Sequence, residues 1–195
     1  MKADVMAGII QSILREIDLL SREKARILIA IDGRCAAGKS TLALYLQKAC
    51  QCNIIRMDDF FLTPELRTFE RLNEAGGNVD YERFLSEVLI PLKLGEVFSY
   101  RPYDCRKNEM VQEKIINPLS VNIIEGAYSC HPALYNYYDL SIFLTIDEAE
   151  QLRRIKKRNG EIGALQFQEK WIPLEERYFS AYRVEERCKL RFQTE

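Results

Sequence analysis

The sequence predicts a three-layer α/β fold, in which a five-stranded parallel sheet is covered by helices on both faces. Three observations predict it. Segments of strand character alternate with segments of helical period. The strand segments are nearly continuous apolar runs, as strands buried on both faces must be. The first strand passes through a glycine-rich turn straight into a helix. A chain of 195 residues can bury one sizeable core, and one domain spanning residues 1–195 is expected.

In chain order, residues 1–24 place Ile9, Ile10, Ile13, Leu14 and Ile17 on one helical face, suited to covering the sheet or to a subunit contact. Strands are expected at 27–31 (ILIAI), 53–57 (NIIRM), 121–125 (VNIIE), 140–146 (LSIFLTI) and 188–193 (CKLRFQ). Helices are expected at 39–50, 81–94, 147–158 and 165–183, with Pro173 able to bend the last. Within about 95–117, EVFSYRPYD and EMVQEKII flank a polar turn and predict a small β-hairpin. No repeat or low-complexity tract interrupts the chain.

Composition narrows the function. Charged residues are 29% of the chain and the formal net charge is −1, which suggests neither disorder nor a general attraction to nucleic acid. No apolar run has the length of a bilayer span, and the N-terminal stretch carries acids through its apolar part, unlike a secretory signal. The six cysteines match neither a zinc site nor a CxxC motif, so reduced thiols in a cytoplasmic protein are expected.

The turn IDGRCAAGKST carries the chemistry. Gly33-x4-Gly38-Lys39-Ser40 fits the P-loop pattern, and residues Gly33, Arg34, Cys35, Ala36, Ala37, Gly38, Lys39, Ser40 and Thr41 are the expected phosphate cradle. The glycines let backbone N–H groups curl inward around phosphate. The following helix presents its positive end, and Lys39 can reach the β- and γ-phosphates. Ser40 offers a hydroxyl to Mg²⁺, and Thr41 is placed for the α-phosphate. The phosphates of a nucleotide, with Mg²⁺, are therefore the expected ligands. A second strand ending in RMDDFFL sets Asp58 and Asp59 at the carboxyl edge, where open α/β sheets bind ligands and a carboxylate can take a proton from an attacking hydroxyl. A third strand ending in NIIEG sets Glu125 beside the glycine loop, where a carboxylate can hold Mg²⁺ through water.

The segments GRCAAGKST, MDDFF, NVDYERF, YRPYDC, IIEG and DLSIFLTIDEAEQLRRIKKR occur in the order seen in uridine kinase-like P-loop kinases, relatives of phosphoribulokinase and pantothenate kinase, and about residues 27–158 resemble that kinase core. The resemblance implies ATP- and Mg²⁺-dependent phosphorylation of a small-molecule hydroxyl, in uridine kinases the 5′-hydroxyl of uridine or cytidine. It also implies Asp58 as catalytic base, Asp80 as a ribose-hydroxyl ligand, Tyr103 as a residue packed on the base, and Arg154 as an arginine reaching substrate and phosphates from a lid at about 153–165. Lys39 and Arg154 would join Asp58 in catalysis. Asn108 stands where uridine kinases carry a base-reading histidine, and RNGEIGALQF lacks the arginines usual in the lid, leaving Arg153, Arg154, Lys156, Lys157 or Arg158 to stabilise the transferred phosphoryl group. Another nucleoside, pantothenate or a sugar-like metabolite is the alternative acceptor. A regulatory P-loop ATPase without an acceptor is the alternative outside this class.

His131, the one histidine, sits in a His-Pro turn and reads as structural before catalytic, and the tyrosines at 128, 135, 137 and 138 read as packing. The stretch WIPLEERYF (171–179) reads as a helix without an assigned role.

Overall fold

An apolar run with no polar side must become a central strand. The computed structural model describes residues 3–194. Its strands in chain order are β1 (Ile27–Gly33), β2 (Cys52–Arg56), four short strands β3 (Phe98–Tyr100), β4 (Tyr103–Asp104), β5 (Glu109–Met110) and β6 (Lys114–Ile116), then β7 (Val121–Glu125), β8 (Leu140–Ile146) and β9 (Leu190–Thr194). Five of them form an all-parallel sheet in the order β2-β7-β1-β8-β9, with Ile29 registered against Ile123 on one side and Leu140 on the other.

Alternate residues of β1 face opposite layers. Ile27, Ile29 and Ile31 meet α1 (Ala3–Ser21) and α2 (Lys39–Ala49). Met6, Ile9, Ile13 and Ile17 of α1 are buried there, each contributing about 1.5–3 kcal/mol by removal from water. Leu28 and Ala30 face the other layer, where they join Phe84, Val88, Leu92, Phe143, Tyr178 and Phe179 in one core. Helices thus cover both faces of the sheet.

Short helices fill the intervals: α3 (Phe69–Asn73), α4 (Tyr81–Phe84), α5 (Ile90–Leu94) and α6 (Pro132–Tyr135). A π turn, Leu85–Leu89, joins α4 to α5, so the helix expected at 81–94 is one run with a widened middle. The expected hairpin consists of two short antiparallel ladders, β3 with β6 and β4 with β5.

Three expectations shift. The strand expected at 53–57 spans 52–56, because Met57 opens a 3-10 turn, Met57–Phe60, that carries Asp58 and Asp59. The last strand starts at Leu190, because Val184–Arg187 (α9, following α7 and α8 below) is a helical turn closed by the Cys188 N–H on the Val184 carbonyl. Between the helices expected at 147–158 and 165–183, the intervening stretch shortens to a break at Gly160: α7 (Glu148–Gln166) carries that break, and a π turn (Phe167–Trp171) and α8 (Ile172–Tyr182) follow it directly. That break, where Gly160 takes a φ of 73° and a ψ of 178°, falls within the segment 153–165 expected as a lid. Among the described residues no helix is long and apolar enough to cross a membrane.

Candidate active site

β1 ends between β7 and β8 at the switch point of the sheet, where the carboxyl ends of the strands open on a crevice. Gly33 there has φ of 128°, and a Cβ on it would lie 2.0 Å from the Leu144 carbonyl oxygen, so only glycine lets the loop leave β1 beside β8. The loop then curls through Ala36, at φ of 60°, to the start of α2. The Lys39 ammonium folds back over it and donates to the carbonyls of Gly33 (2.5 Å) and Arg34 (3.0 Å).

The loop is clamped from several elements. Gln151 of α7 donates to the Cys35 carbonyl (3.0 Å), Arg154 of α7 to that of Ala36 (3.2 Å), and Thr194 of β9 to that of Ala37 (2.9 Å). From α8, the Glu175 carboxylate accepts the Cys35 N–H (2.8 Å), and Glu176 takes two donors of Arg34 (2.7 and 3.1 Å). Arg34 therefore points away from the crevice, with Thr145 (2.7 Å) and Glu185 (3.5 Å) as further partners.

A cavity of about 1050 Å³ opens in front of this loop. Cys35, Ala36, Gly38, Lys39, Ser40 and Thr41 line it, and so do Asp58, Glu125 and Arg154. The structure thus brings together most of the residues expected for phosphate, metal and proton transfer. Ser40 Oγ donates to Glu125 Oε2 (2.9 Å), joining the two residues expected at the metal. Asp58 stands across Gly126, where a Cβ would come within 3.1 Å of its Oδ1. One guanidinium nitrogen of Arg154, Nη2, is buried without a hydrogen-bond partner on the cavity wall.

Three expected substrate ligands lie off this cavity. Asp80 caps α4 through the Arg83 N–H (3.0 Å) and pairs with its guanidinium (3.6 Å). Tyr103 is buried, and its hydroxyl is bonded to the Asn108 side chain and faces Arg67 (3.4 Å). Asn108 takes a left-handed backbone (φ of 58°) in the β4–β5 turn. His131 is also off the cavity, stacked on Tyr81 with ring centres 4.0 Å apart.

Sequence reasoning missed two carboxylates. Asp32, fully buried at the end of β1, accepts the N–H groups of Gly33 (2.7 Å), Tyr128 (3.2 Å) and Cys130 (2.8 Å) and the Tyr178 hydroxyl (2.9 Å). It joins the glycine loop, the turn after β7 and α8, and holds Tyr128 at φ of 69°, a costly conformation for an aromatic residue. Glu175 is the other. An acid immediately before the glycine loop was the one available signal for Asp32. For Glu175 only the two adjacent acids in WIPLEERYF pointed anywhere.

Electrostatics centre on Lys39. Asp32, Glu125 and Glu175 are buried, while Asp58 is open to the cavity yet ringed by protein walls. Desolvation raises the pKa of all four above the ordinary carboxylate range, and the nearby Lys39 ammonium pulls each back down. Six basic side chains, Lys39, Arg67, Arg154, Arg158, Lys170 and Arg177, line the cavity with Asp58, Glu125 and Glu175, so its walls carry positive charge suited to an anion. The paired Ser40 hydroxyl and Glu125 carboxylate are oxygen donors that suit Mg²⁺, which keeps waters and phosphate oxygens as its other ligands.

No family model matches the chain. Solved structures of the same architecture are found. One, described as a possible uridine kinase from Bacillus stearothermophilus, superposes with a TM-score of 0.67 at 18% identity over 93% of this chain and 99% of that chain. A candidate fructose transport system kinase from Silicibacter sp. TM1040 gives 0.71 at 23% identity over 96% and 98%. A Saccharomyces cerevisiae protein described as a P-loop-containing candidate kinase with a circular permutation gives 0.71 at 12% over 97% and 99%. The chain has the fold of uridine kinase-like P-loop kinases.

Proposed function

We propose that the chain is an ATP-dependent kinase that phosphorylates a hydroxyl of a small molecule. The observation that carries this reading is one cavity holding both a glycine loop with its lysine and, across Gly126, the open carboxylate of Asp58. A nucleotide-binding switch would need a group to orient water, whereas this arrangement supplies a proton acceptor for a substrate hydroxyl.

In this reading, loop residues 33–41 bind the phosphates of ATP, and Lys39 leaves the carbonyls of Gly33 and Arg34 for phosphate oxygens. Ser40 and Glu125 hold Mg²⁺, which supplies charge neutralisation of the phosphates. Asp58 accepts the proton of the attacking hydroxyl. Its raised pKa suits that task, because a base works best with a pKa near the ambient pH. Arg154, with one unpartnered donor, stabilises charge on the transferred group. Transfer then needs mainly positioning and charge stabilisation. One domain spanning residues 1–195 would carry all of these parts.

The resemblance favours the 5′-hydroxyl of uridine or cytidine as acceptor. A second reading has a specific observation behind it: Asp80, Tyr103 and Asn108, the residues a pyrimidine nucleoside would need, are engaged with other groups and lie off the cavity. A sugar-like acceptor is therefore the rival, in keeping with the fructose-related description of one structural neighbour. ADP release from MgATP, measured with uridine, cytidine, fructose, other sugars and pantothenate in turn, tests both. Stimulation by either pyrimidine nucleoside supports the first reading and stimulation by a sugar supports the second. No stimulation by any acceptor would count against the kinase.

A further inference from the structure

Glu175 lies on α8, the helix that follows the π turn along the cavity wall. Its side chain is 6% exposed, and its Oε2 accepts the Cys35 N–H at 2.8 Å. Backbone N–H groups are the means by which such a loop holds anions, and here a carboxylate, itself on the cavity wall, takes the N–H of one loop residue. The neighbouring residue is tied to the same loop by the two-pronged Arg34–Glu176 pair. Consecutive acids of α8 thus grip consecutive residues of the loop. The groups facing Glu175 are Asp32 of β1, the Cys35 N–H and thiol, Lys39 of α2, and the Tyr128 hydroxyl after β7.

A phosphate arriving at this loop meets the Glu175 charge head-on. We propose that Glu175 competes with nucleotide phosphate for the loop, and that binding of the nucleotide takes up one proton at this carboxyl. The proton comes from solvent and adds to a Glu175 oxygen, giving a neutral acid that can donate its O–H to a phosphate oxygen; no bond to phosphorus forms or breaks. Burial already raises the Glu175 pKa, against the opposing pull of Lys39 and of the Cys35 N–H, so the added proton costs less here than on an exposed glutamate. The inference rests on the nucleotide reading given above.

The test titrates ADP into the full chain and reads Trp171, the single tryptophan, which lines the cavity one helical turn from Glu175. Glu175→Gln keeps the shape and the acceptor for Cys35 but removes the charge. At about pH 8 the variant should bind ADP about tenfold more tightly than wild type, and the gap should close by up to about a decade per pH unit as the pH falls. Protonation of ADP itself weakens its binding, the opposite direction, and affects both proteins alike. A Glu175→Gln variant that binds no tighter at high pH, or a ratio that does not change with pH, overturns the proposal while leaving nucleotide binding standing. ADP binding to neither protein at any pH removes the nucleotide reading and this proposal with it. Should the variant fail to fold, calorimetry of wild type in buffers of different ionisation enthalpy measures the same quantity: net proton uptake on binding ADP supports the proposal, and none, or release, overturns it.

Discussion

Acidification should destabilise this protein through one side chain in particular. His131 is 6% exposed, stacked on Tyr81 and edge-on to Tyr182, and its Nδ1 accepts the Ala133 N–H (3.3 Å) as the cap of α6. Burial lowers its pKa from the ordinary 6.5 to about 4; repulsion from Arg71 adds to this and Glu82 opposes it. The neutral ring is the folded form, so the unfolded chain binds the proton first. The stabilisation is fully present above pH 6.5 and is lost as the pH falls through about 4. The two values lie about 2.5 apart, which at about 1.4 kcal/mol per pH unit corresponds to about 3 kcal/mol, a large share of a typical folding free energy. Urea unfolding from about pH 7 to about pH 4 on wild type and His131→Asn measures it, since asparagine keeps a capping acceptor without the charge. Wild type should lose stability over this window faster than the variant. The raised carboxylates contribute with the opposite sign and are shared by both proteins, so they cancel in the difference, and no other histidine exists to confuse it. Parallel curves would show that His131 carries no such stabilisation.

Lys39→Ala should weaken ADP binding about ten- to a hundredfold, the worth of one charge-assisted hydrogen bond to phosphate, and should slow transfer as well; unchanged affinity in a calorimetric titration would overturn the phosphate-loop reading. Asp32→Ala leaves three N–H groups and the Tyr178 hydroxyl without their acceptor, and should destabilise the fold by about 3–5 kcal/mol in urea unfolding. Near-wild-type stability there would show that the Asp32 bonds contribute little.

The parts of the fold that could be read from sequence were those fixed by local pattern. β7 and β8 fall on 121–125 and 140–146 as expected, because short, mostly apolar runs of Val, Ile, Leu and Phe bounded by polar turns read as buried strands. The glycine loop was equally readable, since its spacing is set by the backbone. Residues 57–80 were not. They hold 3-10 turns and the short α3, positioned by Phe60, Phe61, Leu62, Val79 and their bridge across to residue 79, contacts that no periodicity announces. At Gly160 the break in the helix was readable, whereas the resumption of helix directly beyond it was not. Asp32 and Glu175 escaped because their partners are distant in sequence, Tyr178 lying 146 residues from Asp32 and Cys35 140 residues from Glu175. The carboxylates expected from strand ends, Asp58 and Glu125, needed only the parallel topology to be placed in the cavity.

In the proposed site, one cavity separates nucleotide binding, by the loop, from proton acceptance, by Asp58. Asp58→Asn tests it when MgADP affinity and acceptor-dependent ADP release are measured on the same preparation. The variant should keep an affinity close to wild type and show a rate lower by about a hundred- to ten-thousandfold, the usual contribution of a positioned base. Near-normal turnover, or loss of nucleotide binding together with turnover, would contradict it.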